Sequence, residues 1–447
     1  MRRRTLLHAA LTAAAAAAPL PLTGCGPRGT DARPGLDYLS LAWQKESVDA
    51  NKALVDAWNA AHPHTPVRYL QGSWESVHDQ LLTSFEGGSA PDVIHDEAGD
   101  LTDFAHGGYL TDLRPLLPER LNSAIPQRTW RTARIGGGLY GVPFLQEPRV
   151  LVADRRLLRR AGIRLPTVRR PWDWAEFEAA ARALTRDRGG GRGRRYGVAW
   201  AMKEPVSQSV NLALSTGGRV FHRAGGRDVV RFGPRDSAVA ELIHRQVHRD
   251  RTAAPSGLGM SGSDVLPGFF AGRYAMVPLN FSYRQQVHQQ APEGFDWVTL
   301  PLPAGNRGGR GAGGSGSHGG RAQGVSPQTL SIARDCRHKR AAMEFVAFLT
   351  GARQLVRLAR GDWLVPTATA ALAAPALHTE RYGWRTGTES ARHLVASPVL
   401  GVRGYQEWLD KIATPAFQEY YADGIALREL RGRLVEDGNR VLARYQR

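Results

Sequence analysis

The stretch from Gly87 to Leu113 reads GGSAPDVIHDEAGDLTDFAHGGYLTDL. Glycines open it, Pro91-Asp92-Val93-Ile94 makes a short apolar push, and residues 101–106 carry helical spacing. A strand followed by a helix is the reading. Between the two stand His95, Asp96 and Glu97, which have the look of a metal site or an acid/base pair. Consecutive side chains on an extended backbone point to opposite faces, so three neighbours cannot converge on one atom. The pattern leaves two readings. Either one or two of the three face a ligand while the rest cap the next helix, or all three only cap and solubilise. Asp100 or Gly99 is the expected N-cap of that helix.

Working outward, residues 38–43 read as a strand and 45–62 as a helix with Val48, Leu54, Val55 and Trp58 on one side. His62-Pro63 ends it. Residues 67–70 form a second strand and 73–85 a second helix. Strands alternating with helices at this pitch predict βαβ units, a parallel sheet and the α/β class. Residues 140–144 and 150–153 are extended, and 155–161 and 174–184 helical. A second α/β section has its main pieces at 196–200, 209–215, 236–248 and 275–279. The glycine-dense segment 304–324 cannot bury apolar surface and reads as a mobile loop. Residues 329–332 are strand-like, 339–349 a helix, and the last eighty residues mostly helical.

The N-terminus is a targeting segment. Arg2, Arg3 and Arg4 precede an Ala-rich apolar run that is too short and too weakly apolar to be a good membrane span. The run ends Leu22-Thr23-Gly24-Cys25, which resembles the lipobox of bacterial lipoproteins, with Cys25 as the lipidated first residue of the mature chain. Residues 1–24 are then a signal peptide and 25–35 a tether. Arg3-Arg4-Thr5-Leu6-Leu7 also resembles a twin-arginine export signal, so the route is Sec or twin-arginine. Only two cysteines exist. With Cys25 assigned to lipid, Cys336 has no partner for an intrachain disulfide or a cysteine-based zinc site.

The formal net charge is +18, and 54 of the 59 basic residues are arginine. The arginines are spread along the chain without a zinc-finger spacing or a recognition helix, which argues against specific nucleic-acid binding. A basic exterior against anionic lipid or cell wall fits better. No His-Glu-x-x-His, no Gly-x-Ser-x-Gly and no P-loop occurs. His62 and His64 flank Pro63 and point apart. Gly136-Gly137-Gly138 leads into a strand, so it is not a dinucleotide fingerprint. No metal, cofactor or catalytic residue is expected. Trp43 and Gln44 follow the first strand, Trp200 and Asn280 stand at later strand ends, and Trp363 lies where a helix gives way to coil. Flat aromatics beside amides and carboxylates suit a sugar, whose C–H face stacks while its hydroxyls take hydrogen bonds.

A set of motifs runs in order along the chain: Phe85-x-Gly87-x-x-Ala90-Pro91-Asp92-Val93, Leu101-x-x-Phe104-Ala105-x-x-Gly108-x-Leu110-x-x-Leu113, Tyr140-Gly141-Val142-Pro143-Phe144, Pro171-Trp172-Asp173-Trp174-x-Glu176-Phe177, Phe269-Phe270-Ala271-Gly272-Arg273-Tyr274-Ala275-Met276, Ala341-Ala342-x-Glu344-Phe345-x-x-Phe348-Leu349 and Leu364-Val365-Pro366. In these the chain resembles the extracellular solute-binding proteins of ABC importers, sugar-binding group. The chain departs from the family at Val150-Leu151-Val152-Ala153-Asp154 and at Gln323-Gly324-Val325-Ser326. The resemblance implies a two-lobed periplasmic-binding-protein fold of type II, closing like a hinged clamp. It assigns residues 36–147 and 324–365 to an N-terminal lobe, 148–303 and 366–447 to a C-terminal lobe, and 304–323 to a Gly-rich loop. Trp43, Gln44, Asp96, Glu97, Glu147, Trp200, Asn280 and Trp363 would face the cleft. The implied role is that of a monomeric lipoprotein, anchored to the cell membrane, that hands a sugar or oligosaccharide to a membrane permease. A polyamine, peptide or metal chelate is the alternative ligand. A glycosidase built on Asp96 and Glu97 is the alternative class; adjacent carboxylates disfavour it, because such a pair must oppose across the bond.

Overall fold

Asp92 explains why the opening stretch starts as it does. Its Oδ2 accepts the backbone N–H of Asp37 at 2.9 Å, tying the start of the strand Val93–Glu97 to the start of Leu36–Ser40. The computed structural model describes residues 35–187, 193–305 and 320–446. The signal segment, Cys25 and the tether up to residue 34 lie outside the described residues. So do 188–192 of the Gly/Arg stretch and 306–319 of the Gly-rich segment. Among the described residues no helix is long and apolar enough to cross a membrane.

Two sheets organise the chain. The first has six strands in the order Val365–Pro366, Val142–Gln146, Gln328–Ile332, Val93–Glu97, Leu36–Ser40 and Val67–Gln71. Its first three strands in sequence pair in parallel, joined by the helices Lys45–Ala61 and Val77–Glu86, as the βαβ pattern requires. Gln328–Ile332 runs antiparallel between Val93–Glu97 and Val142–Gln146. The second sheet has five strands in the order Trp297–Pro301, Arg149–Asp154, Tyr274–Asn280, Arg194–Val198 and Arg186–Asp187. Each sheet has its own apolar core. Tyr38, Trp58, Phe104, Phe144 and Phe345 fill the first lobe. In the second, Leu151 and Ala153 face one layer while Val150 and Val152 face another, the alternation of a strand buried on both sides.

The same device ends a helix in each lobe. Helix Leu101–His106 closes with Gly108 at φ +70°, while Gly108 N–H bonds Ala105 O and Tyr109 N–H bonds Phe104 O. Helix Leu266–Phe270 closes with Gly272 at φ +64°, with Gly272 N–H on Phe269 O and Arg273 N–H on Gly268 O. These are Schellman caps, and the left-handed residue favours glycine. Helix Trp174–Leu184 begins with a capping box, Asp173 and Glu176 each accepting the other's backbone N–H at 2.8 and 2.9 Å.

The chain passes between the sheets three times: through Glu147-Pro148, between Pro301 and Gln328, and after Pro366. Within the second passage Gly305 N–H bonds Gly320 O at 2.8 Å, so the two ends of the undescribed segment 306–319 meet. Just before the strand that leads into the third, Trp363 takes a left-handed backbone (φ +56°) and its carbonyl accepts from Arg284 at 3.0 Å. Arg284 is fully buried, also donates to Phe281 O at 2.7 Å and to Tyr382 O, and lies 4.7 Å from the Trp384 ring centre.

Candidate functional site

Between the two sheets lies a cleft enclosing about 440 Å³. Glu97, Gly99, Asp100 and Asp103 wall it from the first lobe, and Lys203, Glu204, Ser207 and Asn211 from the second. Glu147, Arg149 and residues 324–326 of the crossing segments form its floor, with Asn280 beside them, and Tyr405 supplies an aromatic face. Strand ends explain the placement. Glu97 ends its strand, Arg149 begins one, and Asn280, the last residue of the next, pairs with Arg149 across the sheet. Ligands of open α/β sheets gather at such edges.

The electrostatics are lopsided. Six carboxylates (Glu97, Asp100, Asp103, Glu147, Glu204 and Asp410) face two cations, Arg149 and Lys203, in a chain whose net charge is +18. Burial, and then repulsion from Asp100, Glu204 and Glu147, pushes the Glu97 carboxyl up to about 8, with Arg149 offsetting part of this. Burial also raises Glu147 and Asp103, and Glu147 is partly relieved by the N–H of Ser282, which donates to its Oε1 at 2.7 Å. Among the described residues Arg149 is not spent on an ion pair. Its Nε donates to Gln208 Oε1 at 3.1 Å and its Nη2 to Ser207 Oγ at 2.8 Å. Near neutral pH the site therefore offers the protonated carboxyl of Glu97 beside five further carboxyl groups, amides, one guanidinium, one ammonium and an aromatic ring. That set binds a many-hydroxyl ligand through two-point hydrogen bonds.

Of the expected site residues, Glu97, Glu147 and Asn280 meet in this cleft. Trp200 does not. It is 1% exposed in the second lobe's core, edge-on to Phe177, and its Nε1 donates to Gln246 Oε1 at 2.9 Å. The strand ends at Val198, two residues before the point read from sequence, and Trp200 packs inward. Asp96 also falls outside the cleft lining. Its side chain is buried, with Oδ1 accepting the Glu97 N–H at 2.8 Å and Oδ2 without a hydrogen-bond partner among the described residues, and burial raises its pKa well above the ordinary value. Trp363 packs instead against His288, Tyr382 and Trp384, at ring separations of 5.8, 5.3 and 5.9 Å. Trp43 is half exposed at the end of the first strand, away from the cleft lining. Gln44 beside it is buried, and neither of its amide atoms has a hydrogen-bond partner among the described residues.

His95 proves structural. Its Nδ1 accepts the Leu41 N–H at 3.1 Å and its Nε2–H donates to Gln328 Oε1 at 3.1 Å, so it links three strands as a neutral ring. Burial lowers its pKa to about 3. Among the described residues no group of three His, Cys, Asp or Glu side chains is arranged to hold a metal ion.

Arg149, Glu204 and Tyr405 escaped the sequence reading. Glu204-Pro205 marks a helix start, since Pro favours the first turn, and that signal was available. Tyr405 had none, because an aromatic in a helical tail looks the same whether it faces core or cleft.

Comparison with known proteins agrees with this architecture. The model of the family described as bacterial extracellular solute-binding protein matches residues 43–355. An uncharacterized lipoprotein from the oleD 5′ region of Streptomyces antibioticus is 56% identical over 424 residues, 94% of this chain and 90% of that one. The sugar-binding protein MalE of Xanthomonas citri superposes with a TM-score of 0.75 at 20% identity, covering 92% of this chain and 98% of the other. The GacH receptor of Streptomyces glaucescens, solved unliganded and with acarbose, gives 0.73 at 18% identity, covering 92% and 99%. The two structures share the two-lobed fold. Together with the matched family model, the lipoprotein relative places this chain among the bacterial extracellular solute-binding proteins.

Proposed function

We propose that the protein is the extracytoplasmic substrate-binding lipoprotein of an ABC importer, taking a sugar or oligosaccharide into the interlobe cleft for delivery to a membrane permease. One observation carries this reading: the cleft is lined by both lobes and floored by the segments that join them. A ligand gripped from both sides shifts the population toward closed lobes, which is the signal a permease can read. Glu97, Glu147 and Asn280 contact the ligand, joined by Arg149, Glu204 and Tyr405. Cys25, lipidated after export, anchors the chain, with diacylation for stable attachment. No chemical step belongs to the protein, and it acts as a monomer.

The excess of carboxylates favours a second reading, in which the ligand carries an amine, as a polyamine or an amino-bearing sugar does. Two measurements separate them. In a melting screen over neutral oligosaccharides, amino sugars and polyamines, a true ligand at 100-fold excess over its dissociation constant adds about 2.7 kcal/mol of stability. Calorimetry in buffers of differing ionisation enthalpy then counts protons. A cationic ligand expels the Glu97 proton near pH 7, whereas a neutral sugar leaves it in place. If no member of the screen raises the melting temperature, and a glycoside is turned over instead, the transport reading fails.

A further inference from the structure

A second cavity, of about 680 Å³, lies behind the crossing segments. Gln146 and Pro327 line it, while their neighbours Glu147 and Ser326 line the cleft, and Val325 borders both. Alternation along an extended chain sends neighbouring side chains to opposite sides in this way. The charge is reversed from one side to the other. The groove is lined by Arg128, Arg131, Arg392 and His378, and by no carboxylate.

We propose that this groove is a binding site for a phosphate-bearing anion. Three observations carry it. None of the three arginines has an ion-pair or hydrogen-bond partner among the described residues, although the chain forms such pairs widely elsewhere, as at Arg68–Asp37 and Arg433–Glu429. Gln146 is 8% exposed and Thr129 9%, and neither side chain makes a hydrogen bond among the described residues. Their polar atoms open onto the groove instead, where a ligand can take up their hydrogen bonds. Finally, the arginines come from both lobes. Arg128 and Arg131 belong to helix Gln127–Trp130 and the turn after it, whereas Arg392 follows helix Trp384–Ser390, which packs on the second lobe through Phe281. Guanidinium forks match the paired oxygens of a phosphate, with amide and hydroxyl donors completing the shell.

Occupancy has a mechanical consequence. Lobes that rotate about the crossing segments narrow the cleft as they widen the groove behind. An anion spanning Arg128, Arg131 and Arg392 holds the groove narrow, favours the open cleft and weakens the cleft ligand; by reciprocity the cleft ligand expels the anion. This coupling rests on the cleft reading above, whereas the anion site does not.

The test titrates the mature chain with inorganic pyrophosphate at constant ionic strength, and in parallel sediments it with phosphatidylglycerol or phosphatidylcholine vesicles. Two variants, Arg128→Gln with Arg131→Gln, and Arg392→Gln alone, accompany each arm, with apo melting curves confirming that they fold. Saturable 1:1 heat that weakens tenfold or more in both variants assigns a free phosphate anion. Binding only to phosphatidylglycerol vesicles, lost in both variants, assigns a lipid headgroup. No binding in either arm, or binding that survives both variants, overturns the site.

Discussion

Glu97 is held away from its preferred charge state by the site it serves. A carboxyl raised to about 8, against an ordinary 4.5, keeps its proton longer in the folded chain than in the unfolded one. Its contribution is therefore most favourable below about pH 4.5 and is lost as pH climbs toward 8. Glu97→Gln removes that penalty. The unliganded variant should be more stable than the parent at pH 8, by roughly 4 kcal/mol on the scale of about 1.4 kcal/mol per tenfold change in proton affinity. At pH 4 the two should melt together. Equal melting temperatures at both pH values would mean that Glu97 is ionised and solvated at the cleft wall. His95 acts in the opposite sense, since a ring lowered to about 3 loses stability as pH falls below about 6.5. It lies outside the cleft and is untouched by the substitution, so the pH profile of the variant isolates the carboxyl.

Elements were legible from sequence wherever a cap or an unbroken apolar stripe marked their ends. Leu101–His106, Trp174–Leu184 and Lys339–Leu349 have the bounds read from the residues alone, because Gly107-Gly108, Asp173 and the Phe345-centred stripe are local signals. The second helix starts at Val77, four residues later than its apolar spacing suggests, since Ser76 N–H bonds Ser73 O in a preceding turn. Trp200 was misplaced for a related reason: apolar residues continue past Val198, and nothing local says where strand becomes coil. Cleft membership is harder still, because Arg149, Glu204 and Tyr405 converge only through tertiary packing. The Schellman caps can be tested directly. Gly108→Ala and Gly272→Ala each force a Cβ into left-handed backbone, at a cost of about 1–2 kcal/mol. Urea melts should show lower midpoints with unchanged slopes, and a midpoint equal to the parent's would remove φ as the reason for glycine there.

At the scale of the molecule, the two sheets share no strand among the described residues, and the crossing segments join them, with side-chain contacts such as Glu46 with Gln285 and Gln289 alongside. That architecture explains why one chain carries two cavities of contrasting charge with a common floor. It also explains what happens at the second crossing, where Gly305 and Gly320 are bonded to each other. A Cβ on Gly305 would come within 2.1 Å of Ser215 O, so the close approach depends on glycine. Residues 305 and 320, which flank the undescribed stretch, thus form a single pinned doorway. Replacing those residues with a short Gly-Ser turn should keep the melting temperature within about 2 °C, since loop-closure entropy changes slowly with length. A drop beyond that would give the segment a packing role. Because the doorway lies within the second crossing, which bends under the lobe closure proposed above, it is also a graft point. A fluorescent domain inserted there would report lobe closure as a change in light, making the protein a sensor for whatever solute it captures.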